Sequence, residues 1–175
     1  KPVLRLSHFG AVDPAARSVA QDSPNAPVWF TTTVYDEDRD GDVVVPGGVQ
    51  VKNFQRNPVI FFGHQELAIP VAKGMDDSGR LLWAAEDNRC RGGALFDPRD
   101  ADAQFIRSKV LRGYLSACSI AFVPLISHKR GPEHLKAQPR HQGDAPLGYL
   151  FEEVDLTEWS IVGVPPKTRM ALAES

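Results

Sequence analysis

The sequence predicts an α+β fold, in which a mostly antiparallel β-barrel or sheet is flanked by a few α-helices. About six short segments are rich in β-branched and aromatic residues and are bounded by Pro, Gly and Asp, as β-strands usually are. Only one segment has the pattern of a well-defined helix. Strands and helices do not alternate along the chain, so a parallel βαβ architecture is not expected.

The composition is typical of a single globular domain covering residues 1–175. Of the 175 residues, 42% are hydrophobic and 24% are charged, which is sufficient to bury a core. The net charge of -2 argues against a generally basic nucleic-acid-binding protein. The longest apolar runs, such as Val59–Phe62, are too short to cross a bilayer. We therefore expect neither a nucleic-acid nor a membrane partner, and we recognise no signal-peptide pattern.

The strand signals begin after an irregular N-terminal segment, residues 1–27, which prolines interrupt and which has an edge strand near Val3–Leu6. Val49–Phe54 is predicted to form a helical turn, and Lys167–Ala173 to begin a helix. Strands are predicted at Val28–Tyr35, Val43–Val45, Val59–Phe62, Leu81–Ala85, Tyr114–Val123 and Tyr149–Val164. Pro124 is expected to end one strand and Asp155 to interrupt the last. The polar loop at residues 127–148 is long enough that we expect it to be either functional or disordered.

The single clear helix is predicted at Pro98–Arg112. Asp97 is a suitable N-cap and Pro98 suits the first helical position. Gly113 can adopt the left-handed conformation that ends a helix. The apolar face is predicted to consist of Ala101, Phe105, Ile106 and Val110.

The segment Asp36–Asp42 matches the opening of a calcium-binding loop, with Asp at relative positions one, three and five and Gly at six. The twelfth position is Gly47, where such a loop needs a bidentate Glu, and strands rather than helices flank it. A hairpin turn in which Gly41 has a positive φ is therefore the favoured interpretation. The two cysteines, Cys90 and Cys118, are too few for a disulfide framework or a zinc site, and they suit a reducing compartment. We expect no metal ion and no cofactor.

Among the histidines, His64 has the most informative position, because it directly follows the apolar strand Val59–Phe62. A histidine at the end of a buried strand can act as a general base near neutral pH, although a structural histidine is the commoner case. The spacing of the remaining histidines does not favour a metal cluster: His8, His128, His134 and His141.

Ser119 is a candidate nucleophile. In an extended strand, Cys118, Ile120 and Phe122 share a bulky core face with Ser116, whereas Ser119 lies on the opposite face between Ala117 and Ala121. Small neighbours would leave room for a substrate, and the hydroxyl would need an adjacent base. Cys118 is the rival nucleophile, but on the core face it would be a buried, inert thiol.

Glu158 is a candidate for orienting an imidazole. It shares a strand face with Leu156 and Ser160, opposite Trp159 and Ile161. A carboxylate at this position can stabilise a charged histidine. Taken alone, Glu158 is more readily explained as a solvated strand residue.

These segments occur together and in a fixed order, and in that combination the chain resembles the prohead maturation proteases of tailed bacteriophages, which are related to the herpesvirus assemblin proteases. The matching stretches are DRDGDVVVPGG (38–48), NPVIFFGHQ (57–65), LRGYLSACSIAF (111–122) and LTEWSIVGVPP (156–166). Ala121 stands where the "S-I-G-F"-like motif of the family usually has glycine.

The resemblance implies a serine endopeptidase with an assemblin-like β-barrel. It implies Ser119 as nucleophile and His64 as base, with Glu158 as the third catalytic residue and Asp155 or Glu153 as alternatives to it. It further implies a role in capsid maturation, with the scaffold protein, the scaffold segment of the major capsid protein and the protease itself as substrates. The expected location is the procapsid interior within the host bacterial cytoplasm, and the expected assembly is a homo-oligomer, dimeric or higher. The alternative is a non-catalytic capsid-assembly or scaffold domain with the same fold.

Overall fold

The computed structural model of the chain describes residues 5–12, 23, 25–38, 41–131 and 148–163. Within these residues, helix α1 spans Ala101–Leu111, and two short 3-10 helices span Pro46–Gly48 and Phe54–Arg56. The ten described strands are β1 Arg5–Ala11, β2 Val28–Val34, β3 Val43–Val44, β4 Val49–Gln50, β5 Val59–Phe62, β6 Ala72–Lys73, β7 Trp83–Ala85, β8 Arg89–Phe96, β9 Ala117–Lys129 and β10 Tyr149–Val162. The fold is thus mostly β with one described α-helix.

The strands form a nearly closed barrel. The order of the sheet is β1-β9-β10-β5-β6-β8-β2, and a bridge between Val12 and Phe30 brings its two ends together. Strand β10 is the central element: it pairs with β9 antiparallel, and with β3, β4 and β5 parallel along its other edge. The remaining described pairings are antiparallel. The prediction of a mostly antiparallel, barrel-like sheet is therefore confirmed at this coarse level.

The barrel interior holds one continuous hydrophobic core. Trp159 on β10 is fully buried, and its ring lies 5.4 Å from that of Phe30 on β2. Gly92 of β8 packs so closely that an added Cβ would lie 3.1 Å from the Trp159 ring. The two consecutive glycines, Gly92 and Gly93, weaken the strand signal of β8, which explains why the sequence did not predict this strand. The short strand β6 was also not predicted.

Several strand boundaries differ from the prediction. Strand β5 has the predicted bounds, but β9 begins only at Ala117 and continues through Pro124 to Lys129. The described pairing of β1 with β9 ends at Phe122, so among the described residues no strand on that side requires an N–H from Pro124. Strand β10 is not broken at Asp155; it accommodates register shifts instead. In place of the predicted helical turn at Val49–Phe54, β4 is followed by a 3-10 helix.

Helix α1 begins later than predicted, because Asp100 rather than Asp97 is its N-cap. The Asp100 carboxylate accepts hydrogen bonds from the N–H groups of Asp102 and Ala103. The buried face consists of Ala103, Arg107 and Val110, and Phe105 is 60% exposed, contrary to the predicted face. Gly113 has a φ of 82°, as predicted for the helix stop.

The N-terminal segment is not wholly irregular, since β1 occupies Arg5–Ala11 rather than the predicted Val3–Leu6. Likewise, residues 127–129 of the predicted polar loop belong to β9. The rest of that loop from residue 132 to 147, and the predicted helix start at Lys167–Ala173, lie outside the described residues. No helix in the described part of the chain is long and apolar enough to cross a membrane.

Candidate active site

His64 lies in a left-handed turn at the end of β5. Gly63 has a φ of 68° and His64 a φ of 55°, and His64 is the only described residue other than glycine with a positive φ. Such a conformation is unfavourable for a residue with a side chain, and it is found mostly where neighbouring contacts maintain it. Two contacts from β10 do so here: Gly63 N–H donates to the Ile161 carbonyl at 2.9 Å, and His64 N–H donates to Ser160 Oγ at 3.3 Å.

The turn places the imidazole against Glu158. His64 Nδ1 lies 2.5 Å from Glu158 Oε1, and the two side chains are 12% and 5% exposed. With its proton on Nδ1, the ring donates this hydrogen bond and leaves the Nε2 lone pair available as a base. Nε2 is buried and has no hydrogen-bond partner within the described structure.

Ser119 occupies the same face of the sheet as this pair. It lies directly opposite Ser160 in the β9–β10 ladder, and Ala121 lies opposite Glu158. Directly opposed residues project to the same face, with Cα atoms about 4.5–5.5 Å apart. The face thus carries Ser119, Ala121, Glu158 and Ser160 in adjoining positions, and the next strand, β5, leads into the His64 turn.

Ser119 is enclosed rather than open. The residue is 1% exposed, whereas the sequence predicted that small neighbours would leave space in front of it. Its Oγ is buried and has no hydrogen-bond partner in the part of the chain described. A buried hydroxyl without a partner costs free energy, about 1–3 kcal/mol, so the Ser119 hydroxyl and His64 Nε2 are two buried polar groups that the described structure leaves unsatisfied.

The rival residues lie elsewhere. Cys118 is fully buried in the core, and its Sγ donates to the Thr31 carbonyl at 3.3 Å, as expected of an inert thiol. Ser116 precedes β9 and is exposed, so its predicted core position is wrong. Asp155 accepts a hydrogen bond from Asn53 Nδ2 at 2.6 Å. Glu153 lies opposite Ile126, nearer the start of β10 than Glu158. Of the three candidate carboxylates, Glu158 is the one that contacts His64.

The described residues of the acidic turn, Asp36–Asp38, Gly41 and Asp42, contact other parts of the chain, and Arg39 and Asp40 lie outside the described residues. Asp38 and Asp42 are buried: Asp38 Oδ1 accepts the Asp42 N–H at 2.9 Å, and Asp42 Oδ1 accepts the Tyr149 N–H at 2.7 Å. Arg130 donates to the Gly41 carbonyl and forms an ion pair with Glu37 at 2.9 Å. Gly41 has the positive φ of the hairpin-turn interpretation, 78°. These contacts favour a structural role for the turn over a calcium loop.

The remaining histidines do not join this site. His128 lies on an exposed part of β9, with its Nε2 3.4 Å from Glu152 Oε2. His134 and His141 are outside the described residues, as is the side chain of His8. In the described ranges, no group of three or more His, Cys, Asp or Glu side chains is arranged to hold a metal ion.

A groove of about 470 Å³ adjoins the His64 turn. Phe62 and Gln65, which flank the turn, line one side, and Phe105 and Ile106 of α1 line the other. Ile69 lies in the connecting loop and is 83% exposed. The groove therefore presents apolar side chains to solvent next to the candidate base.

The sequence did not single out Ser160 or the left-handed turn. Ser160 is two residues beyond Glu158, so strand periodicity alone places it on the same face. A Gly-His pair directly after a buried strand likewise indicates a turn in which the glycine has a positive φ. Neither signal identified a function, because the contacts of both depend on β5 and β10 lying side by side.

Comparison of the chain with models of known families, with curated proteins and with solved structures gave no match.

Proposed function

We propose that the chain is a serine endopeptidase of the phage prohead maturation type, with an assemblin-like barrel. The observation that carries the proposal is the contact of 2.5 Å between His64 Nδ1 and Glu158 Oε1, which leaves Nε2 without a described partner. Glu158 lies on β10, on which Ser160 is directly opposite Ser119. A nucleophile, a base and an orienting carboxylate are the recurrent elements of acyl transfer by serine. The sequence resemblance implies the same nucleophile and base, and it implies Glu158 as the third residue with Asp155 and Glu153 as alternatives.

In the proposed mechanism, Ser119 Oγ attacks the carbonyl carbon of the scissile peptide bond while His64 Nε2 accepts the hydroxyl proton. The tetrahedral intermediate collapses, the C–N bond breaks, and the leaving amine takes that proton from His64. A water molecule, deprotonated by the same nitrogen, then hydrolyses the acyl-enzyme and regenerates Ser119. Each proton thus passes through one ring nitrogen, which must remain aimed at the nucleophile.

Glu158 supports the transfer from the other side of the ring. Its carboxylate accepts the Nδ1–H, which selects the tautomer with a free Nε2 and stabilises the imidazolium that forms. Because Glu158 is only 4% exposed, water screens this interaction weakly. Ser119 and Nε2 are buried as well, so substrate binding must open this face of the sheet.

The proposed substrates are the scaffold protein, the scaffold segment of the major capsid protein and the protease itself, inside a procapsid in the host bacterium. The groove beside the His64 turn supports a peptide substrate, since its apolar lining residues suit a side chain flanking the scissile bond, and Gln65, Asp100 and Asp102 in the same lining can bind polar groups of a peptide. Assembly as a homo-oligomer remains part of the proposal.

The deciding experiment is intact-mass analysis of the protein co-expressed with its major capsid protein. Wild type should trim the capsid protein or itself, and Ser119→Ala should leave both whole. Ser127→Ala, on an exposed position of the same strand, is the matched control and should trim as wild type does. Equal trimming by Ser119→Ala would refute the nucleophile. Absence of trimming by all three proteins would favour the non-catalytic capsid-assembly domain.

A further inference from the structure

Ser160 is a buried hydroxyl between the candidate base and the candidate carboxylate. It lies on β10, opposite Ser119 on one neighbouring strand and opposite Phe61 on the other. Its exposed fraction is 0%. Strand residues in the middle of a sheet are rigidly held, so the position of this hydroxyl is determined by the ladder on both sides.

The Ser160 hydroxyl makes two hydrogen bonds, and each reaches a different member of the pair. It donates its proton to Glu158 Oε2 at 2.8 Å and accepts the backbone N–H of His64 at 3.3 Å. The other oxygen of the carboxylate, Oε1, contacts His64 Nδ1. Glu158 is therefore held at both oxygens, and His64 is held by its backbone and its ring.

The backbone contact matters because His64 has an unfavourable conformation. A left-handed residue with a side chain costs about 1–2 kcal/mol relative to the right-handed region. The hydrogen bond from His64 N–H to Ser160 Oγ offsets part of this cost and ties the turn to β10. The same oxygen thus influences where the ring lies and where the carboxylate points.

We propose that Ser160 is a positioning residue, which holds His64 and Glu158 in register so that Nε2 stays aimed at Ser119. This inference rests on the proposed function. Ser160 itself transfers no proton to the substrate. Its removal would leave Glu158 Oε2 and the His64 N–H without these bonds and allow the ring to shift. Misplacement of a reacting group by about 1 Å can lower a rate about 100-fold.

The first test measures the rate at which a fluorophosphonate probe labels Ser119. In this reaction Ser119 Oγ attacks phosphorus, fluoride leaves and His64 takes the hydroxyl proton, so no peptide substrate needs to be identified. Ser160→Ala should label about 10- to 100-fold more slowly than wild type, and Ser160→Thr, which retains the hydroxyl, should recover most of the rate.

The matched control is Thr32→Val. Thr32 is also fully buried, and its hydroxyl donates to the Cys90 carbonyl at 3.2 Å, away from the pair. It should lose stability comparably to Ser160→Ala, as measured by thermal melting, but label at the wild-type rate. If both variants slow labelling equally, the effect is one of general stability and the proposal is overturned.

The second test does not require activity. The His64 Nδ1–H proton bonded to Glu158 should give a downfield imidazole resonance in the proton NMR spectrum, absent from His64→Ala. In Ser160→Ala this resonance should broaden or move upfield, whereas in Thr32→Val it should stay in place. An unchanged resonance in Ser160→Ala, or labelling at the wild-type rate, would overturn the positioning role.

The labelling rate and the NMR resonance together distinguish failure of the Ser160 positioning role from failure of the proposed protease function. If wild type is not labelled at Ser119, the protease proposal fails, and the NMR comparison still decides whether Ser160 holds the His64–Glu158 pair. If wild type is labelled and Ser160→Ala labels equally fast, only the role of Ser160 is refuted.

Discussion

His64 and Glu158 are 94 residues apart in the chain, yet the imidazole Nδ1 and the carboxylate Oε1 lie 2.5 Å from each other. Parallel pairing of β5 with β10 brings them together, since Phe62 lies opposite Ile161 immediately before the turn that carries His64. The contact is mostly buried, so its electrostatic effect on the ring is stronger than that of a surface pair.

Glu158→Gln should lower turnover with little change in size or fold. The amide cannot provide the negative charge that stabilises an imidazolium, so we expect kcat to fall by about 10²- to 10⁴-fold, with KM nearly unchanged. Kinetics on a capsid-derived peptide would measure this. Glu153→Gln, on the same strand and not in contact with His64, is the control. A loss confined to Glu153→Gln would move the catalytic carboxylate to that residue.

Gly63→Ala should affect both stability and activity. Its φ of 68° disfavours any side chain, although nothing lies within 4 Å of an added Cβ. We expect a loss of about 1–2 kcal/mol in the free energy of unfolding, measured in urea. Gly79 has a φ of 83° and equally open surroundings, so Gly79→Ala should cost a similar amount. Only Gly63→Ala should also slow labelling of Ser119, because only it precedes His64.

Gly48→Ala and its neighbour Gly47→Ala should differ sharply. A Cβ on Gly48 would lie 1.7 Å from the Glu152 carbonyl oxygen of β10, whereas a Cβ on Gly47 would meet nothing within 4 Å. The backbone would have to move to accept Gly48→Ala, with a cost at the upper end of about 1–3 kcal/mol. Gly47→Ala should stay within about 0.5 kcal/mol of wild type. Similar melting temperatures for the two variants would contradict this packing.

Asp76 should make the protein sensitive to acid. The Ser78 hydroxyl and then the Arg80 N–H stabilise its carboxylate and lower its pKa to about 2. Because the folded pKa lies below the unfolded value of 3.8, the contribution is complete above about pH 5 and is lost progressively as the pH falls to about 2. Urea unfolding should show wild type more stable than Asp76→Asn at pH 6, with the difference shrinking toward pH 2. A difference that does not vary with pH would exclude this carboxylate as the cause.

Neither cysteine should react in the folded protein. Burial, followed by the nearby charge of Glu86, raises the pKa of Cys90 to about 12, and Cys118 is fully enclosed in the core. Iodoacetamide at pH 8 should therefore modify both thiols only after denaturation, as measured by intact mass. Cys118→Ala should still be labelled by a fluorophosphonate. Rapid native alkylation of Cys118 together with loss of activity would instead support a cysteine nucleophile.

The sequence by itself determined the elements whose signals are local. Strand β5 has the predicted bounds because its apolar run ends at Asn-Pro on one side and Gly-His on the other. Strand periodicity correctly separated Cys118, Ile120 and Phe122, which join the core, from Ser119. The helix was recognised, but its start was misplaced because two nearby aspartates both suit an N-cap, and only the backbone decides between them.

The tertiary structure decided how these elements meet. The partner of His64 could have been Glu158, Asp155 or Glu153, and the parallel alignment of β5 on β10 brings Glu158 against it. Ser119 was expected to face open space, but the folded chain buries it. Its burial depends on residues distant in sequence that pack over this face of the sheet, and no local pattern specifies them. The contacts of Ser160 also arise only in the assembled sheet, since its hydroxyl accepts the N–H of a residue 96 positions away. Register and layer packing are long-range properties, and a short segment does not encode them alone.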